Sequence, residues 1–110
     1  MLENTYTLEN GIKIPKLGLG TWFIDDSKVA EAVREAVKIG YRMMDTAQAY
    51  GNERGVGEGV RTCGIPREDL FVVSKVAAEH KTYEQAMAGM DETLKKMELY
   101  YEAFSRGFAF

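Results

Sequence analysis

The chain is poor in the residues that announce specialised chemistry: one cysteine, Cys63, one histidine, His80, one tryptophan, Trp22, and two prolines among 110 residues. A lone cysteine excludes an internal disulfide framework. Cys63 also has no second cysteine or histidine near it in the sequence, so neither a metal ligand nor a reactive thiol is expected there. No apolar run approaches the roughly 18 residues that suggest a membrane span. Acidic and basic side chains are intermixed to a net charge of -3 with no basic run, so neither nucleic acid nor an anionic membrane surface is an expected partner. The opening MLENTYTLEN lacks the charged-then-apolar design of a secretion signal, and a cytoplasmic location is the expectation. What remains is ordinary globular material, 45% hydrophobic, enough for one modest core and a single domain over residues 1–110.

Residues 5–8 and 12–14 alternate polar and apolar side chains around Glu9-Asn10-Gly11, a strong hairpin signal, so residues 1–15 are expected to form a small antiparallel unit. Residues 16–20 then read as a short buried strand. Asp25-Asp26-Ser27 offers caps for a helix to Ile39, with Val29, Val33, Ala36 and Val37 on one face and Gly40 as the stop. A second cycle follows, with a strand over 41–46 and a glycine-rich helix over 52–63. Gly64-Ile65-Pro66 breaks that helix, residues 71–76 form a third strand, and Thr82 caps a third helix. Three strand-helix units in series imply a parallel sheet with right-handed crossovers, in a barrel or a doubly wound fold.

Apolar and aromatic residues in the last segment fall at Tyr83, Met87, Met90, Leu94, Met97, Tyr101, Phe104 and Phe108, spaced alternately by four and three. That heptad seam predicts a helix prolonged to Arg106, part of it packed on another helix, for instance in a second copy of the chain. The competing expectation is a tail that frays or folds back after Glu98. Gly55, Gly57 and Gly59 lack the position and offset of a dinucleotide fingerprint, so close helix packing is expected of them.

In an alternating barrel, functional side chains gather at the C-terminal ends of the strands. Those ends bring Gly20-Thr21-Trp22, then Asp45 with Tyr50 on its loop, then Lys75. A phenol with an ordinary pKa near 10 donates protons poorly unless a neighbouring cation stabilises its phenolate. Lys75 can be that cation, and Asp45 on the adjacent strand is its natural partner. Tyr50 could then protonate a carbonyl oxygen as hydride reaches the carbon. A lysine left without its carboxylate would instead suit Schiff-base chemistry.

NGIKIPKLGLGTW, GYRMMDTAQAYGNERGVGEGVR and PREDLFVVSKV resemble the N-terminal portion of aldo-keto reductases, over roughly residues 10–97. The resemblance implies a partial (β/α)8 barrel: an N-terminal hairpin, three βα units over residues 16–97 and a divergent tail over 98–110. It implies NADPH as cofactor and an aldehyde or ketone as substrate. It places Asp45, Tyr50 and Lys75 in three of the family's four catalytic positions, and Gly20, Thr21, Trp22 and Asp45 at the nicotinamide.

The departures bear equally on function. The family's fourth catalytic residue is a histidine in a run resembling LIHWP, which is missing here, and His80 reads as a surface or capping residue. Ala77 stands where relatives usually carry a tryptophan. Relatives end the third helix at a glycine where this chain has Glu98, which is expected to remove the left-handed stop. A whole barrel takes roughly 250 residues, so about five units and most of the cofactor grip are expected to be missing, with cofactor binding weak or absent. Bare sheet edges then favour a homo-oligomer. The alternative function is a catalytically silent association module built on the helical seam.

Overall fold

The computed structural model describes residues 4–99 and 108–109. The hairpin forms where the Asn-Gly signal places it. Strand β1, Thr5–Thr7, pairs antiparallel with β2, Lys13–Pro15, and Gly11 takes φ 84° in the turn while the Asn10 carboxamide accepts from the Ile12 N–H at 3.1 Å.

Four short strands follow: β3, Leu19–Gly20, β4, Met43–Asp45, β5, Phe71–Val73, and β6, Phe108–Ala109. They lie parallel in the order β3-β4-β5-β6. Each strand joins the sheet beyond its predecessor, whereas a doubly wound sheet reverses direction at a switch point. The barrel alternative therefore holds, and the architecture is a partial (β/α)8 barrel.

Helix α1, Asp26–Ile39, α2, Glu53–Thr62, and α3, Tyr83–Met97, cover the sheet. Val29, Val33 and Val37 of α1 meet Val56 and Val60 of α2, Met44 and Val72 of the strands, and Leu94 and Met97 of α3 in one core. Gly40, at φ 122°, ends α1 with its N–H on the carbonyls of Ala36 and Val37. The expected Asp25 cap is not made. Asp26 instead reaches across, its Oδ1 accepting from the Gly55 N–H at 2.7 Å and its Oδ2 from Arg54 at 2.7 Å, so α1 caps the start of α2.

The glycines of α2 are packing residues. A Cβ on Gly59 would come within 2.6 Å of the Val33 Cβ, one on Gly55 would run into Val29, and one on Gly57 would strike the backbone of Met97. Thr82 starts α3 with a full capping box, accepting from the Gln85 N–H at 3.1 Å while the Gln85 side chain accepts from the Thr82 N–H.

The prolonged helix is not formed, which corrects the reading of the heptad seam. Helix α3 stops at Met97, and Glu98 itself takes the left-handed conformation, φ 54° and ψ 42°. The Leu99 N–H then closes on the Leu94 carbonyl at 3.1 Å, and Leu99 joins the core. Burying a leucine is worth about 1.5–3 kcal/mol, which exceeds the roughly 1–2 kcal/mol that a left-handed residue costs. Leu94 and Met97 of the seam are spent in this core, Tyr83 and Met87 stay exposed, and Tyr101 and Phe104 lie outside the described residues. Phe108, counted in the heptad seam, lies in β6 opposite Val72, so β5 has a neighbour where a bare edge was expected.

Two substitutions at this junction should act in opposite directions. Glu98→Gly relieves the left-handed cost and forfeits an exposed 3.1 Å pair with Arg61, for a net gain of about 1 kcal/mol. Gly57→Ala should cost about 2 kcal/mol through overpacking, although alanine favours a helix interior by about 1 kcal/mol. Urea unfolding midpoints check both, and a more stable Gly57→Ala would contradict the packing described.

Candidate active site

The loop from β4 to α2 is polar in sequence yet buries Thr46, Ala47 and Asn52. Asp45 ends β4, Gln48–Tyr50 form a single 3-10 turn, and Gly51 at φ 70° swings the chain into α2. Asn52 is fully buried: its Nδ2 donates to the carbonyls of Thr21 and Ile24 at 2.9 and 3.0 Å, and its Oδ1 accepts from Thr46 Oγ1 at 2.6 Å. Asn52 thereby holds the turn after β3. That turn contains Phe23 in the left-handed region, φ 67°, a conformation bulky residues rarely adopt. The Phe23 ring stacks on Trp22 at 4.3 Å between centroids, and Trp22 stacks on Tyr50 at 6.5 Å.

Gln48 works in the same manner toward α3. Its Nε2 donates to the Gly89 carbonyl at 2.7 Å and to Thr93 Oγ1 at 3.1 Å, and its Oε1 accepts from the Ala77 N–H at 2.7 Å. Glu53, only 3% exposed, accepts at Oε2 from Ser74 Oγ at 2.6 Å and from Thr93 Oγ1 at 2.8 Å. Sequence reasoning passed over Thr46, Gln48, Asn52, Glu53, Ser74 and Thr93. The available signal was the run Thr-Ala-Gln-Ala-Tyr-Gly-Asn-Glu itself, whose amides and carboxylate need partners if the loop is folded under.

Asp45, Tyr50 and Lys75 come together. The Lys75 ammonium donates to Asp45 Oδ1 and, at 3.0 Å, to the Thr46 carbonyl, and it sits 5.3 Å from the centre of the Tyr50 ring. Partial burial pulls the Lys75 pKa down, but the hydrogen bond and charge of Asp45 outweigh that and Tyr50 adds in the same direction, so it lies above the ordinary lysine value. Lys75 and Asp45 are both about half exposed, at 49% and 41%, so water screens the pair.

The residues expected at a nicotinamide divide. Gly20 is exposed with open space where a Cβ would stand, and Trp22 is 65% exposed. Thr21 is fully buried instead, its N–H and Oγ1 both donating to the Asp45 carbonyl at 3.1 and 2.9 Å, because it continues the β3–β4 ladder. Its hydroxyl holds the strand end. His80 lies beside Gly89, whose added Cβ would come 3.4 Å from Nε2, in the loop before α3. Among the described residues, no group of three or more His, Cys, Asp or Glu could hold a metal ion, and no helix is long and apolar enough to cross a membrane.

Residues 16–103 match the Aldo/keto reductase family, and the chain belongs to that family. It is 43% identical over 99 residues to a 9,11-endoperoxide prostaglandin H2 reductase of Trypanosoma cruzi, covering 89% of this chain and 35% of that protein. It is 42% identical over 101 residues to a glyoxal reductase of Bacillus subtilis, covering 91% of this chain and 37% of that protein. Among solved structures it resembles an aldo/keto reductase from Brucella melitensis, with TM-score 0.85 and 42% identity over 89% of this chain and 37% of the other. A Bombyx mori aldo-keto reductase in complex with NADP gives TM-score 0.82 and 31% identity over 92% and 36%. The chain thus spans little more than a third of the length of the relatives it matches.

The raised Lys75 pKa fixes a sign for pH dependence. The Lys75–Asp45 contribution is fully present below the ordinary lysine value, about 10.4, and is lost as pH rises through the higher folded value. Stability of the chain should therefore fall more steeply on the alkaline side than that of Asp45→Asn. Urea unfolding at a series of pH values checks this, and parallel curves would contradict the pairing.

Proposed function

We propose that the chain carries the proton-donating part of an NADPH-dependent carbonyl reductase site, with Tyr50 as the donor, Lys75 as the cation that faces the phenolate formed on transfer and Asp45 as the anchor of Lys75. The observation that supports this most is the position of the Lys75 ammonium, held by Asp45 against the Tyr50 ring. In the forward direction Tyr50 Oη gives its proton to the carbonyl oxygen, and the phenolate left behind faces the Lys75 ammonium. The reduced nicotinamide supplies the hydride to the carbonyl carbon when bound.

The open surface at Gly20 and the exposed Trp22 ring fit the flat ring end of that cofactor. Among the described residues, the cation in contact with Asp45 or Tyr50 is Lys75, already engaged by Asp45, so the phosphates find no partner within the rim group itself. Weak cofactor binding by this chain is part of the proposal. Asp45 keeps the Lys75 amine protonated, which speaks against Schiff-base chemistry there. Cys63 is a free thiol, in keeping with a reducing cytoplasm as the location.

Trp22 is the only tryptophan, so its fluorescence reports on this rim. NADPH titrated to millimolar concentration should quench it in the native chain and in Tyr50→Phe alike. Oxidation of NADPH in the presence of a small aldehyde should fall about 10²-fold or more in Tyr50→Phe. Unchanged fluorescence, or equal rates, would remove the reductase reading.

Self-association is a second reading, and the sheet favours it over the helical seam. Among the described residues, β3 and β6 each have a strand on one side only, and bare parallel edges invite pairing. Sedimentation velocity across a concentration series should show a species heavier than the 12.4 kDa chain. A monomer at every concentration would exclude it.

A further inference from the structure

We propose that Glu53 is a positioning residue for Lys75: its buried carboxylate, tied to Ser74 at the end of β5, sets where the lysine emerges on the rim. The inference rests on the reading of Lys75 as part of the reactive group and deepens it.

A carboxylate at the foot of a helix inside the protein needs a reason. Packing alone does not supply one, since an aliphatic side chain fills comparable space without the cost of removing a charge from water. Glu53 is 3% exposed, and among the described residues it forms no ion pair. Its recorded partners are two hydroxyls that converge on one oxygen, Ser74 Oγ at 2.6 Å and Thr93 Oγ1 at 2.8 Å, both residues fully buried. Hydroxyl donors to an ionised carboxylate make short, directional bonds.

The geography of the first of these bonds gives it its consequence. Ser74 immediately precedes Lys75, and successive side chains along an extended segment point to opposite faces. Pinning the Ser74 hydroxyl under the sheet, on the α2 side, directs Lys75 to the opposite face, where its side chain is 49% exposed and reaches Asp45. Glu53 stands three residues after Tyr50, separated from it by the Gly51 turn and the locked Asn52. One carboxylate therefore ties the loop that bears the phenol to the strand that bears the amine. Placement of this kind governs how well reacting groups meet.

Thr93 provides the internal control, because it makes an equivalent bond to the same oxygen from α3, remote in sequence from Lys75. The titratable groups that face the ammonium directly are Asp45 and Tyr50, beside the uncharged Thr46 carbonyl, so its titration reports on their placement. The experiment follows the Lys75 side chain by carbon-13 and nitrogen-15 NMR through an alkaline titration of the full chain. In Ser74→Ala the Lys75 midpoint should shift down toward that of exposed lysines, although the Glu53 charge is still in place. In Thr93→Val it should stay at the native value, and in Glu53→Gln, which keeps an acceptor for Ser74, it should stay close to it. Equal shifts in Ser74→Ala and Thr93→Val would show a merely structural clamp and overturn the proposal. So would an unmoved midpoint in a folded Ser74→Ala.

Because no turnover is read, these outcomes stand apart from those of the reductase assay. If Ser74→Ala fails to fold, Ser74→Cys keeps the volume and weakens the bond. The same downward shift is expected there, and an unmoved midpoint would count against the proposal equally.

Discussion

A polar loop tucked partly under the rim, between a sheet and two helices, must satisfy the donors and acceptors it buries, and this requirement shapes the whole rim. Asn52 answers it by gripping the turn after β3, Gln48 by gripping the start of the loop after Lys75 and the waist of α3, and Glu53 by gripping Ser74 and Thr93. Leaving such groups unpaired would cost about 1–3 kcal/mol each, so the loop has essentially one low-energy arrangement. The reactive side chains inherit that arrangement. Tyr50 stands between Gln48 and Asn52, and Lys75 follows Ser74, so the buried bonds set where both side chains leave the backbone and Asp45 holds the ammonium at its end.

The same economy explains the close helix packing. Helix α2 begins where the loop ends, and its first turn is capped by Asp26 from α1. Gly55 and Gly59 allow α1 to approach and Gly57 allows the end of α3 to approach, so the helix that begins at Glu53 is held on two sides. Strain collects nearby, in the left-handed backbone of Phe23 next to the exposed Trp22, where Asn52 fastens both flanks of the turn.

Where the chain obeys local rules, its fold was legible. Asn10-Gly11 marked the hairpin, Gly40 ended α1, and Val29, Val33 and Val37 marked the buried face of α1 by period alone. The strands are shorter than expected, although single backbone bonds such as that from the Thr46 N–H to the Val73 carbonyl carry the pairing a residue or two past their ends. Glu98 misled for a definite reason: local propensity disfavours a left-handed glutamate, and the burial of Leu99 outweighs that preference only once the core exists. Phe108 misled similarly, since a strand paired parallel to one far back in sequence leaves no periodic trace in two residues. At the site, Asp45, Tyr50 and Lys75 could be found from their chemistry at strand ends. The buried partners could not, because threonine, glutamine, asparagine and glutamate in a loop read as solvated until the fold closes over them.

The central claim is spatial: an ammonium from β5 held by a carboxylate from β4 against a phenol on the loop between β4 and α2. Nuclear Overhauser contacts between the Lys75 ε-methylene and the Tyr50 ring test it most directly. The account predicts strong cross-peaks, with the methylene displaced upfield by the ring it faces. Lysine methylene signals at free-chain positions, with no cross-peak to Tyr50 in a folded sample, would contradict it.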